Sequence, residues 1–248
     1  FMFARLLCVL TLSFFIQPVA AKKLVAVTEY LAPYQIKRAD GSLSGYSTDV
    51  VKALTEITGD KLDIRVMSWA RAYERALTQK NVMIFSISKT AERMKKFHWI
   101  GELVDGKNYY WGLKSQFPPQ DISVAELHQM KIGVSRDSSG HQFIKRVDAK
   151  YIYPFVYEEQ AIEAIFRGRV SVILGTPISL KSVCEKLGLD YSQLVQLAEA
   201  TDLIAPLHIA FNKNSDHELV LKYQSAYQEL KSSGKLNAFK KKWKIPTP

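Results

Sequence analysis

From residue 23 onward the chain alternates short apolar runs with longer segments whose apolar positions recur every three to four residues. KLVAVT (23–28) reads as a strand. In SGYSTDVVKALTEITG the residues Val50, Val51, Leu54 and Ile57 share one helical face, and Gly59 is a stop signal. Ser47 or Thr48 is expected to cap that helix, with Asp49 placed to suit its dipole. LDIRVM then reads as a strand, WARAYERALTQ as a helix and NVMIFSIS as a strand. The order is βαβαβ, the rhythm of an α/β unit with a largely parallel sheet.

A second series repeats the rhythm. KIGVS, YIYPFV and VSVILG read as strands, and SSGHQFIKRV, EEQAIEAIFRG and PISLKSVCEKLG as helices. PLHIAFNK (206–213) is a further strand, and two helices split by Gly234 close the chain. Pro118-Pro119 marks a boundary or crossing point between the series. Two α/β lobes without a flexible linker imply that the chain crosses between them, leaving a cleft where strand ends face each other. The expected division is 22–110 with 204–248 in one lobe and 111–203 in the other.

The first residues change the expected address. Arg5 precedes an apolar stretch from Leu6 to Ile16, followed by Pro18 and the small residues up to Ala21. This is the layout of a secretory signal peptide over 1–21, so the remainder is expected to be exported. Cys8 falls in that leader, which leaves Cys184 as a buried small hydrophobe rather than half of a disulfide. The formal charge of +10 would suit nucleic acid, lipid headgroups or an anionic ligand. Export argues against nucleic acid, and the lysines are spread along the chain apart from the KKKWK tail.

The candidate chemistry gathers at strand ends. Glu29, Tyr34, Trp69 and Arg71 belong to the first series, as does SISKTAER with Ser86, Ser88 and Arg93. The second supplies Ser138, Ser139 and Thr176. Hydroxyls, aromatics and cations suit a small ligand with a carboxylate, which an arginine grips through two parallel hydrogen bonds. At about 1.5–3 kcal/mol per bond to a charged group, that grip plus one stacked aromatic approaches the ~8 kcal/mol of micromolar binding. Enzymatic patterns are weak. GVSRD lacks the second glycine of a nucleophile elbow, and the five histidines show no metal-ligand spacing. No P-loop or dinucleotide glycine pattern is present, so neither metal nor cofactor is expected.

TEYLAPYQIKRADGSLSGYSTDVVKAL, MSWARAYERAL, SISKTAERMKKFHW, KIGVSRDSSG and SSGKLNAFKKKW stand in the order and spacing of a known family. Over 22–245 the chain resembles a bacterial periplasmic solute-binding protein of family three, the polar amino acid group serving ABC transporters. The resemblance implies a two-lobed α/β fold of the type II periplasmic-binding-protein kind, each lobe a mostly parallel sheet flanked by helices. It places Arg93 at the ligand carboxylate, Ser86 and Ser88 as a hydrogen-bonding pair, and Tyr34 as the cleft aromatic. Ser138 and Ser139 match hydroxyls opening a second-lobe helix, and Trp69 with Arg71 resembles a W-x-R subgroup. The family usually places an aspartate for the ligand ammonium where this chain has Thr176, and Ser171 replaces another aspartate. Carboxylate recognition is thus expected to be retained and ammonium recognition altered, with Glu29 available as a negative charge.

The resemblance implies a monomeric, non-catalytic periplasmic binding protein that delivers a carboxylate-bearing solute to a membrane permease. An exported enzyme on the same fold, a dehydratase or lyase of a cyclic carboxylic acid using Glu29, is the alternative. A sensory partner of a membrane receptor is a third reading.

Overall fold

The computed structural model describes residues 23–117, 122–203 and 206–246. The leader expected over 1–21 and the Pro118-Pro119 pair lie outside the described residues. β1 (Lys23–Thr28) leads through β2 (Ile36–Lys37) and β3 (Leu43–Ser44) into α1 (Tyr46–Thr58). β4 (Lys61–Val66), α2 (Trp69–Thr78), β5 (Val82–Ser88), the single turn α3 (Ala91–Met94) and β6 (Phe97–Val104) follow. β7 (Tyr109–Leu113), α4 (Val124–Leu127), β8 (Lys131–Ser135), α5 (Ser139–Arg146) and β9 (Tyr151–Phe155) come next. After α6 (Glu158–Phe166), β10 (Val172–Gly175), α7 (Pro177–Leu187) and β11 (Leu194–Glu199), the chain ends with β12 (Leu207–Asn212), α8 (His217–Ser232) and α9 (Lys235–Lys242).

The long strands form two five-stranded sheets, ordered β4-β1-β5-β12-β6 and β11-β7-β10-β8-β9. The α/β class and the two-sheet arrangement are as expected, but each sheet is evenly mixed rather than mostly parallel. β1 pairs parallel with β4 and β5, and β8 with β9 and β10, whereas β12 and β7 pair antiparallel with both neighbours. The antiparallel strands are those that flank the two passages between sheets, from β6 to β7 and from β11 to β12. The first passage therefore ends at Tyr109, inside the stretch assigned to the first lobe up to 110. β7 and β8, on either side of the Pro118-Pro119 pair in sequence, both belong to the second sheet. NYYWGL carries no polar break that would announce the change of sheet.

Alternation along the strands sends side chains to two faces, each covered by helices. In the first sheet Leu24, Met83, Phe85 and Phe211 pack beside α1 and α8, while Val27, Val82, Ile84 and Ala210 pack beside α2. In the second sheet Trp111 and Ile173 meet α6 and α7, and Tyr110, Ile132 and Val172 meet α5. Cys184 is fully buried in the former cluster, as its apolar neighbours suggest, and burial pushes its thiol up to about 11. Among the described residues no helix is long and apolar enough to cross a membrane.

Two local departures from the sequence pattern position the site. α1 begins at Tyr46 with Gly45 as its N-cap, not at Ser47 or Thr48. The Tyr34 carbonyl accepts from the amides of Ser47 (3.1 Å) and Thr48 (3.4 Å), doing the work expected of a side-chain cap. Gly45 has φ 121°, and a Cβ there would run into that carbonyl, so only glycine lets the Tyr34 backbone come so close. In β5, Ser86 has φ 57° and is skipped in the pairing with β12, where Ile87 faces His208 and Phe85 faces Ile209. It is a β-bulge. Its effect is to change parity: Ile87 joins Val82 and Ile84 on the α2 face, although strict alternation would put it with Met83 and Phe85.

Candidate functional site

A cavity lies between the two sheets, where the C-terminal ends of β1 and β5 face those of β8 and β10. Its walls include Glu29, Tyr34, Trp69, Ser86, Ser88 and Arg93 from the first side, and Ser138, Ser139, Glu158, Thr176 and Ser179 from the second. Nine of the ten residues singled out from sequence thus line one space. Arg71 is the exception. α2 buries Trp69, Ala72, Tyr73 and Ala76, and Arg71 lies two positions from Trp69, more than half a turn around the helix and exposed.

Arg93 is the largest fully buried side chain, with 0% of its surface exposed. Its guanidinium lies 4.7 Å from the Tyr73 ring centre and 5.2 Å from that of Trp69. Such placement over aromatic faces offsets part of the desolvation of a cation. Burial lowers its pKa, an effect opposed chiefly by Tyr73. Nη1 donates to the Ser88 carbonyl (3.3 Å) and Nη2 to the Asp137 carbonyl (3.0 Å), while Nε has no partner among the described residues. The second bond reaches across the cleft. Trp69 Nε1 donates to the same Asp137 oxygen at 2.9 Å, and Ser88 Oγ and Ser139 Oγ share a hydrogen bond of 3.1 Å. Apolar contacts also cross, with Ala32 packed on the second-sheet core and Ile178 on the first.

Asp137 was not legible as a partner. Its carbonyl is aimed by a left-handed backbone (φ 58°), and its amide donates to His141 Nδ1 at 3.0 Å. Ser138 caps α5 by accepting from the His141 amide at 3.1 Å. On the first side, the hydroxyl of Ser86 accepts from Gln35 Nε2 and donates to Ser47 Oγ at 2.9 Å. Thr176 is the N-cap of α7, accepting from the Ser179 amide at 3.3 Å, with Pro177 following at the first helical position. It also hydrogen-bonds the Tyr34 hydroxyl, whose pKa is raised by burial. Thr176 therefore joins the two sides but brings no charge.

The charge sequence reasoning missed is Glu158, the first residue of α6. A glutamate pair opening a helix ordinarily faces water and favours the dipole, and nothing in EEQAIEAIF marks the first as inward. Ser179 Oγ donates to it at 3.3 and 3.4 Å. Burial pushes its carboxyl up to about 7, with the Ser179 bond opposing and Glu159 adding. Glu29 is raised well above the ordinary carboxylate range by burial and then by Glu158, with Arg93 opposing. Two carboxylates and one guanidinium are the charged groups of this lining among the described residues.

Two mixed α/β lobes with a cleft between them are the architecture of the periplasmic binding proteins. The chain belongs to the bacterial extracellular solute-binding proteins, family 3, whose sequence model matches residues 24–246. Among functionally curated proteins none is similar enough in sequence to match. Solved structures share the fold. A histidine kinase sensor domain with similarity to periplasmic binding proteins superposes with a TM-score of 0.79 at 17% identity, over 90% of this chain and 96% of that one. The arginine-, lysine-, histidine-binding protein ArtJ of Geobacillus stearothermophilus gives 0.78 at 18%, over 92% and 96%. An ancestral arginine-binding protein bound to arginine gives 0.77 at 21%, over 89% and 97%.

Proposed function

We propose that this chain is an exported, monomeric periplasmic protein that captures a small carboxylate-bearing solute, an amino acid or related organic acid, for an ABC transporter permease. The observation that carries the reading is Arg93, a buried guanidinium lining a cleft whose two walls are joined through that same side chain. A ligand carboxylate would take the unpartnered Nε–H and compete for the Nη donors, with Ser88 and Ser139 supplying hydroxyls. Tyr34 and Trp69 supply aromatic faces, and Ser86 and Ser138 hold the backbone that shapes the walls. Bonds to both lobes favour the closed arrangement that a permease reads. A thermal-shift screen of amino acids, keto acids and other small carboxylates tests this. At least one is expected to raise the melting temperature in a saturable way, and silence from the whole set would sink the reading.

A second reading, an exported enzyme acting on a cyclic carboxylic acid, gains from Glu158, whose pKa of about 7 suits proton transfer. Product formation lost in Glu158→Gln would favour it; stoichiometric binding without product would eliminate it. The fold likeness to a kinase sensor domain leaves the sensory reading to the choice of partner.

A further inference from the structure

Two of the bonds that cross the cleft end on one main-chain oxygen, and a histidine holds the residue that bears it. The Asp137 carbonyl accepts from Arg93 Nη2 at 3.0 Å and from Trp69 Nε1 at 2.9 Å. Asp137 stands between β8 and α5 with φ 58°, a left-handed conformation that disfavours a residue with a Cβ and has to be held. The Ser138 amide donates to the Ser135 carbonyl at 3.2 Å, closing a turn around Arg136 and Asp137, and the Asp137 amide donates to His141 Nδ1 at 3.0 Å. His141 is the third residue of α5, the position from which a capping-box side chain reaches back to the N-cap amide. Here the imidazole reaches one residue further, and it is buried, with 6% of its surface exposed. An amide can donate only to a ring nitrogen without a proton, so this bond requires a neutral His141 carrying its proton on Nε2.

We propose that His141 is a positioning residue for the junction between the lobes: when neutral it aims the Asp137 carbonyl at Arg93 and Trp69, and by taking up a proton it releases both. A proton on Nδ1 replaces the acceptor with a donor that faces the Asp137 N–H. The Asp137 carboxylate, 3.8 Å from that nitrogen, is the acceptor then within reach, so the ring exchanges a main-chain partner for a side-chain one. The left-handed residue thereby loses the bond to its amide. The proton comes from solvent, and no covalent bond changes. This adds a regulation to the cleft of the solute-binding reading and rests on that reading only for its effect on a ligand.

The charged groups that face the ring are Lys145 from the next turn of α5, with Asp137 and Arg136 from the turn before it. Of the strands packed on α5, β8 carries Lys131 at its first position, and β9 carries Tyr151 and Tyr153, whose phenols stay neutral in the acid range. Burial lowers the His141 pKa, Lys145 lowers it further, Asp137 opposes and Arg136 adds. A cation in the first turn of a helix is disfavoured by the dipole in the same sense. Freed from the junction, the ring returns toward its ordinary value of 6.5. The junction is therefore fully formed above that value and weakens as pH falls below it, by up to about tenfold per pH unit.

The test uses the nitrogen-15-labelled chain without ligand, from pH 5 to pH 8. Long-range proton–nitrogen spectra read the His141 tautomer, and the indole N–H resonance of Trp69, assigned with Trp69→Phe, reads the bond to Asp137. At pH 8 Nδ1 of His141 is expected to carry no proton. Between pH 7.5 and pH 5.5 the Trp69 indole proton is expected to exchange with water at least tenfold faster, measured relative to free indole at each pH. His141→Asn offers an amide oxygen in place of Nδ1 and does not titrate, so slow exchange is expected throughout. His141→Leu, checked for folding by circular dichroism, is expected to exchange fast throughout; should it not fold, the parent and asparagine profiles decide alone. A proton on Nδ1 at pH 8, or a Trp69 signal indifferent to acid, overturns the proposal. So does an asparagine variant that follows the parent's profile, which would assign the response to Glu29 or Glu158. Silence in the carboxylate screen would leave this result standing, and failure here would leave the solute-binding reading standing.

Discussion

Arg93 donates through Nη2 to the main-chain oxygen of Asp137, 3.0 Å away and on the opposite wall of the cleft. Trp69 donates to the same oxygen from 2.9 Å. The proposed ligand grip and the junction between lobes are therefore one structure. A ligand that engages Arg93 acts on the contacts that hold the walls together, which is how local binding would become a change in lobe geometry.

Arg93→Lys keeps a positive charge but loses the planar fork that reaches Ser88, Asp137 and a carboxylate together. The ligand-induced rise in melting temperature found in the screen is expected to disappear, with affinity down at least tenfold. Retention of parental affinity in calorimetry would remove Arg93 from the site.

Trp69→Phe preserves an aromatic face over Arg93 and deletes the indole donor to Asp137. The loss of one neutral hydrogen bond is worth about 0.5–1.5 kcal/mol. Ligand affinity is expected to weaken about threefold to tenfold through a faster off-rate, measurable by stopped-flow fluorescence. An unchanged off-rate would show that the bond does not contribute to closure.

Ser86 combines a hydroxyl that satisfies Gln35 and Ser47 with a left-handed backbone. Ser86→Ala is expected to destabilise by about 1–3 kcal/mol, because it orphans the buried Gln35 amide. Ser86→Gly loses the same bonds but suits φ 57° without a Cβ, so it is expected to be about 1 kcal/mol less damaging. Urea midpoints decide the order; alanine milder than glycine would contradict the account of the bulge.

Glu158 holds its proton to about pH 7 in the folded chain, against an ordinary value of 4.5. Between those values the folded state binds more proton than the unfolded state, so stability falls as pH rises. The contribution is full below the ordinary value and lost above about 7, and amounts to at most on the order of 3 kcal/mol. The ligand-free parent is expected to lose more stability than Glu158→Gln between pH 5 and pH 8 in urea unfolding. Parallel pH curves for the two proteins would refute this.

Element order was legible because alternation and helical periodicity are local: KLVAVT, NVMIFSIS and EEQAIEAIF each carry their own pattern. The strands β6, β7 and β11 gave weaker signals, since their register depends on partners far along the chain. Arg93, Ser86 and Ser88 were singled out through the order of motifs, and all three line the cavity. Arg71 was misplaced because two positions along a helix turn a side chain away from its neighbour's face.

The sequence by itself determined an α/β chain built from two series, with hydroxyls and an arginine at the strand ends that meet in one cleft. Only the tertiary structure decided that Ser86 bulges, that the Asp137 carbonyl receives Arg93 and Trp69, and that Glu158 lines the same cavity as Glu29. Arg93 and Asp137 are 44 positions apart, and Trp69 and Asp137 are 68 apart. A local pattern records which face of an element is apolar. It does not record which distant carbonyl or carboxylate that element will meet, because that depends on how two separately packed sheets come together.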